Sequence, residues 1–291
     1  MSTTSSPSAD PGWSPSFRHG VRPAVALLLF FAVWALASNA LFARLFGAES
    51  SVAAEQLFGI ASSAVQFGVT VLVLRYEGVR LRDVGFAVRL LYPALVATAG
   101  LVLVLNVLSA GLVVLRGNEL SVGFFAHARS APYDYSLPAA VAGGVHYYLF
   151  VGPAEELAFR GYLQNKVTSL VDRGSDRLQI VVGIVTAATA FSLIHVPTIL
   201  ILDDPTLGSV LGLLLLLALS GVAFGAIYAL TRNLYLVAFL HGIGDFSPLF
   251  VAGGSVAWPN WGLMAVCYGL LVVLYRRWVV TAPRSTLGVT T

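Results

Sequence analysis

Three pairs of residues, each spaced four apart, bring polar chemistry into strongly apolar stretches. They are Glu156 and Arg160 in PAEELAFRGYLQ, Phe191 and His195 in FSLIH, and His241 and Asp245 in HGIGD. A further carboxylate, Glu155, adjoins the first pair. Ionisable groups at membrane depth cost roughly 2.5–3.5 kcal/mol each even on the lenient insertion scale, so together they point to one buried polar site. Glu155, His195, His241 and Asp245 are the candidate catalytic residues, with Glu156, Arg160 and Phe191 in support. A Glu beside a His is a workable general-base pair for activating water. The same oxygen and nitrogen donors are also a workable ligand set for Zn²⁺. The sequence has no HExxH, no GxSxG and no Walker-type phosphate loop, and no Cys near a His. Helix-borne zinc proteolysis of the common kind and covalent Ser or Cys catalysis are therefore disfavoured.

The elements that would position these residues are helices. Residues four apart share a helix face, so Glu156 can pair with Arg160 one turn on, which makes that pair architectural. Glu155 lies about 100° further round and has no partner in its own helix, which leaves it as the candidate base. Pro153 cannot donate to a helix ladder and clashes with the preceding turn. It is expected to kink or restart the helix, leaving both carboxylates near a positive helix end. The imidazole of His195 needs a polar partner in its apolar segment, and Phe191 on the same face can wall it from water. Gly242 and Gly244 allow a neighbouring helix to come close. His241 and Asp245 then present either two ligands or a donor with its orienting acid. Each motif alone has a structural explanation: a salt-bridge knot, a carbonyl-bound His, a His–Asp hydrogen bond. Their joint occurrence in one half of the chain favours a site.

Composition sets the surroundings. The 291 residues are 57% hydrophobic and 11% charged, against roughly 25% charged in a soluble domain, and mean hydropathy is +0.83. The expected fold is all-α, a polytopic membrane protein. Its spans, each of about 20 apolar residues, are 23–46, 53–74, 91–115, 137–164, 179–200, 208–230, 234–251 and 259–279, eight in all, with the polar site among the fourth, fifth and seventh. Residues 1–20 read as a disordered Ser/Pro/Thr-rich tail, 21–280 as a single transmembrane domain with a motif-bearing core at about 137–251, and 281–291 as a second tail. Basic residues cluster in the loops 75–90 and 165–178 and after the eighth span, which puts both termini in the cytoplasm. The net charge of +3 is thereby a matter of topology, and no nucleic-acid partner is expected. Phe124, Phe125, Tyr133 and Tyr135 suit an interfacial loop. The lone Cys267 reads as a small buried apolar residue. For His195 to meet Glu155, the fifth span must be tilted or displaced, or its first two turns must project into the cytosol, which is the arrangement expected.

At these motifs the chain resembles the CPBP (Abi) family of intramembrane proteases, which includes the type II CAAX prenyl endopeptidases and bacteriocin-processing or immunity proteins. Glu155-Glu156-(three residues)-Arg160, Phe191-(three)-His195 and His241-(three)-Asp245 match the family's EExxxR, FxxxH and HxxxN/D in order, and FRGYLQ is similar too. The resemblance covers about 140–250. It implies hydrolysis of a peptide bond in a membrane-associated, CAAX-type substrate. Glu155 and His195 would activate water, and His241 and Asp245 would stabilise the oxyanion or hold the water, with or without Zn²⁺. Asp245 stands where the prenyl protease branch has Asn. An amide can donate to an oxyanion and an ionised carboxylate cannot, so Asp245 suits metal ligation or the orientation of His241. Two other classes compete: a non-catalytic membrane binding or immunity protein, and a proton-coupled transporter, disfavoured by the absence of a visible repeat.

Overall fold

The computed structural model describes residues 15–46, 51–122, 137–171, 175–202, 206–246, 251–252 and 261–280. The architecture is all-α. Helix α1 spans Arg22–Leu45, α2 Val52–Tyr76 and α3 Leu91–Leu115. Then comes α4, an unbroken helical run over 137–170, followed by α5 at Asp176–Leu193, α6 at Val196–Leu202, α7 at Leu207–Thr231, α8 at Leu234–Asp245 and α9 over 261–280. The one strand pairing among the described residues is two residues long, Ser121–Val122 (β1) against Val251–Ala252 (β2), antiparallel.

Helix starts follow local chemistry. Side chains of Ser51, Ser175, Thr206 and Asn233 accept from the backbone N–H three residues on and open α2, α5, α7 and α8. Each such cap is worth about 1 kcal/mol. Pro23 sits in the first turn of α1, where its missing N–H costs nothing.

Among the described residues, five helical stretches are long and apolar enough to cross a membrane: Arg22–Leu45, Val52–Tyr76, Leu81–Leu115, Asp176–Ile201 and Leu207–Thr231. The expected count of eight is not confirmed. Helix α4 carries Glu155, Glu156, Arg160 and Lys166, α8 is an apolar helix of only 12 residues, and the α-helical part of α9 is 15 residues long.

The helix register alternates as successive crossings would. Arg160 and Gln164 on α4 donate to Gly221 O and Gly225 O on α7, each 61 residues on, so α4 and α7 run parallel. Between them α5 runs the other way: Phe191 meets Phe159, and Gly183 lies against Gln164 and Thr168. The first turns of α5 thus lie beside the last turns of α4. Helix α8 is antiparallel to α4, and α2 is parallel to it.

Within the stretch read as a tail, residues 15–20 pack against the helices. Phe17 packs edge-on against Tyr162 at 5.8 Å, and Arg18 N–H donates to Glu77 O at 3.2 Å. His19 N–H donates to the Glu77 carboxylate at 3.0 Å. The same carboxylate takes Lys166 Nζ at 2.7 Å and the Tyr162 hydroxyl at 3.1 Å, and Lys166 also donates to His19 O. A fully buried Glu–Lys pair needs its remaining lone pairs and protons satisfied, and the strap formed by residues 15–20 supplies the missing groups. Residues 1–14 and 281–291 lie outside the described residues, as do Phe124, Phe125, Tyr133 and Tyr135.

Candidate active site

Helix α4 carries the first motif without a break. The expected restart at Pro153 does not occur: Val151 and Gly152 both have right-handed helical dihedrals. Residues Tyr147–Val151 and Leu157–Gln164 are instead π-helical. The wider turn before Pro153 makes room for a ring that would otherwise strike the preceding carbonyl. Glu155 and Glu156 are therefore mid-helix and gain nothing from a helix end. Side chains must supply their partners.

Glu156 and Arg160 form the pair their spacing requires, with Nη1 2.7 Å from Oε1 and both side chains essentially inaccessible. The same Oε1 lies 2.6 Å from His241 Nδ1 on α8. Two features make that second contact possible. Gly152 lies against the backbone of α8, where a Cβ would fall 2.4 Å from Ala238 O, and the α8 helix brings His241 down onto α4 one turn later. A carboxylate oxygen only accepts, so Nδ1 carries the proton. Nε2 then points at Asp245 Oδ2, 3.1 Å away, and Glu155 Oε2, 3.5 Å away. Glu155, without a partner in its own helix, thus has one on another.

Phe191 lies at the centre of the aromatic packing. Arg160 sits over its ring at 4.6 Å, and it meets His195 and His241 edge-on at 4.8 and 5.8 Å. Phe224 of α7 stacks on His241 at 5.5 Å. Gly221 O of the same helix accepts from Arg160 Nη2 at 3.3 Å. The sequence pointed to the fourth, fifth and seventh spans alone; the sixth, here α7, contributes as well. Phe224 is an ordinary apolar residue of that span, and no spacing signal marks it.

His195 occupies the turn between α5 and α6. Its Nδ1 lies 2.7 Å from Phe191 O. A carbonyl only accepts, so Nδ1–H donates, which in the neutral ring leaves the Nε2 lone pair free. His195 and Glu155 both line a cavity of about 320 Å³ bounded also by α1 and α2. Its other wall holds polar groups the motifs did not reveal, among them Asn39, Gln56, Ser62 and His146. His146 precedes Glu155 by nine residues, which in a regular helix sets the two on opposite faces. The intervening π-turn takes up one residue and swings His146 back toward the cavity.

The arrangement can therefore hold a water against a carboxylate and a neutral imidazole nitrogen, beside an imidazole fixed by three acids. Among the described residues no three His, Cys, Asp or Glu side chains are grouped as a metal ion would need. The closest approach is at His241 Nε2, between Asp245 and Glu155, with His195 held apart on the α5–α6 turn.

Residues 137–247, which include every motif side chain of the cluster, match the family model described as Type II CAAX prenyl endopeptidase Rce1-like. No curated protein and no solved structure matches the chain. That match over the site-bearing segment is consistent with the resemblance of its three motifs to the CPBP family.

Proposed function

We propose that this protein is an intramembrane endopeptidase that cleaves a membrane-associated peptide, a CAAX-type C-terminal segment being the class the family match suggests. The observation that carries the reading is the shared cavity of Glu155 and His195, with His241 Nε2 3.5 Å from the Glu155 carboxylate. Glu155 takes a proton from a bound water, which His195 Nε2 holds by accepting its second hydrogen. The hydroxide oxygen adds to the scissile carbonyl carbon. His241, held by Glu156 through Nδ1 and by Asp245 through Nε2, stabilises the oxyanion with its charge. The C–N bond then breaks, and the proton on Glu155 passes to the leaving amine. Asp245 acts through His241 and is a positioning residue.

The test is cleavage of a quenched fluorescent, lipid-anchored CAAX peptide by purified protein in vesicles. Glu155→Gln and His195→Ala should each lose about 10²–10⁴-fold in rate while melting like wild type. Near-wild-type cleavage by Glu155→Gln would overturn the proposal. Loss of folding in both variants would favour the non-catalytic alternative. Mass-spectrometric metal analysis of wild type, His195→Ala and His241→Ala runs alongside. Stoichiometric zinc, lost in both variants, would replace the metal-free pair by a metal-bound water.

A further inference from the structure

The wall of the cavity opposite Glu155 and His195 is rich in acceptors. Asn39 spends both amide hydrogens, on Ala35 O at 2.7 Å and Thr198 Oγ1 at 2.8 Å, so its Oδ1 is what remains to present. Ser38 directs its hydroxyl hydrogen to Ala35 O. His146 Nδ1 is engaged by Gln56 Oε1. Glu55 also lines the cavity, and its carboxylate makes no hydrogen bond or ion pair among the described residues. No Lys or Arg lines the cavity. The place of Glu55 in the first turn of α2 explains why an acid is tolerated there, yet leaves its oxygens without a donor.

We infer that this wall is a subsite for a cationic side chain, Lys or Arg, of the bound peptide, with Glu55 as the specificity-determining residue. The inference rests on the peptide-cleaving function proposed above and names a feature of the substrate. A desolvated ammonium or guanidinium needs several acceptors and a counter-charge; Glu55 supplies the charge, and Asn39 Oδ1 and the Ser38 oxygen the acceptors.

The helix register places this subsite along the peptide. Helices α2 and α4 run parallel: Tyr162 bonds Glu77 and His146 lies against Gly59, where a Cβ would fall 2.2 Å from the ring. Glu55 is therefore level with a point on α4 about 13 residues before Glu155, or about 20 Å along the axis. An extended peptide covers that in about six residues at about 3.3 Å each. The reach of Glu55 and of the cationic side chain shortens this to between about four and six residues from the scissile bond.

The experiment walks one lysine along an otherwise uncharged lipid-anchored peptide, with norleucine as the reference at each position. Binding is measured by fluorescence anisotropy on full-length Glu155→Gln protein in neutral phosphatidylcholine vesicles, and cleavage on the protein with Glu155 intact. Lysine at the optimal position should tighten binding about tenfold, the benefit of an ion pair sheltered from bulk water. Adding Glu55→Gln should reduce that preference below about threefold, and Glu55→Lys should turn it toward a glutamate-bearing peptide. Equal binding of the lysine and norleucine peptides at every position, or a preference that survives Glu55→Gln, overturns the inference. A Glu55-dependent preference without cleavage by the intact protein leaves the subsite standing and removes the proposed activity.

Discussion

Replacing Glu156 by Gln is the sharpest probe of the polar core. The substitution keeps the shape and removes the charge. One oxygen, Oε1, holds both Arg160 Nη1 at 2.7 Å and His241 Nδ1 at 2.6 Å, and Arg160 is only 1% exposed. Gln cannot neutralise the guanidinium, whose other contacts are Gly221 O and the faces of Phe191 and Phe224. Breaking a buried pair by removing one partner costs about 3–5 kcal/mol. At about 2–4 °C per kcal/mol, the midpoint of thermal unfolding in detergent should fall by roughly 6–20 °C. Glu155→Gln should cost less than about 1 kcal/mol, because Glu155 faces the cavity and its closest ion-pair contact is 3.5 Å long. Adding Arg160→Met to Glu156→Gln removes the orphaned charge and should restore part of the stability. It should not restore cleavage, since His241 would still lack the Glu156 carboxylate at Nδ1, with only Asp245 and Glu155 left at Nε2. A Glu156→Gln protein melting within the equivalent of about 1 kcal/mol of wild type, or no lower than Glu155→Gln, would refute the claim that one oxygen binds the core together.

Two further outcomes follow from contacts outside that pair. Burial alone would raise the Glu77 carboxyl, but the Lys166 ammonium, the His19 N–H and the Tyr162 hydroxyl outweigh it and hold it below its ordinary 4.5. A carboxyl lowered by folding adds stability above its unfolded value and loses it as pH falls through the folded one. The melting midpoint should therefore drop as the buffer is taken below about pH 4.5, and Glu77→Gln should flatten that part of the profile; an unchanged profile would count against the strap. In Gly221→Ala, the new Cβ would lie 2.9 Å from Ala188 Cβ and 3.0 Å from its Cα. Neither atom can swing aside, so α5 and α7 must part, at about 1–3 kcal/mol read from denaturant midpoints. A neutral substitution would show that these helices are less closely packed than described.

What could be read in the residues themselves was whatever depends on one helix. Four-residue spacing is enough to pair Glu156 with Arg160 and to set Phe191 beside His195. The second partner of Glu156 is on another helix, and only the close approach at Gly152 brings His241 to it. No single-helix argument contains that distance. Pro153 misled for a related reason: its local cost was real, and in place of a restart there are π-turns that keep the helix continuous and also move His146 to the side of Glu155. The strap at residues 15–20 was hidden by a composition resembling the Ser/Pro/Thr-rich stretch before it; its order comes from Glu77 and Lys166, far along the chain.

That strap also fixes an order of events during synthesis. Glu77 leaves the ribosome about 89 residues before Lys166, an interval of roughly 4–18 s at about 5–20 residues per second. For that time the carboxylate at the end of α2 has neither its ammonium nor the Tyr162 hydroxyl, both of which arrive with α4. Without them, drawing Glu77 into its buried position leaves a charge uncompensated, so the end of α2 stays in water until the site-bearing helix is made. The cluster that closes the bundle is in this sense a checkpoint on its assembly: α1 and α2 lock down only once the helix that carries Glu155 is in place.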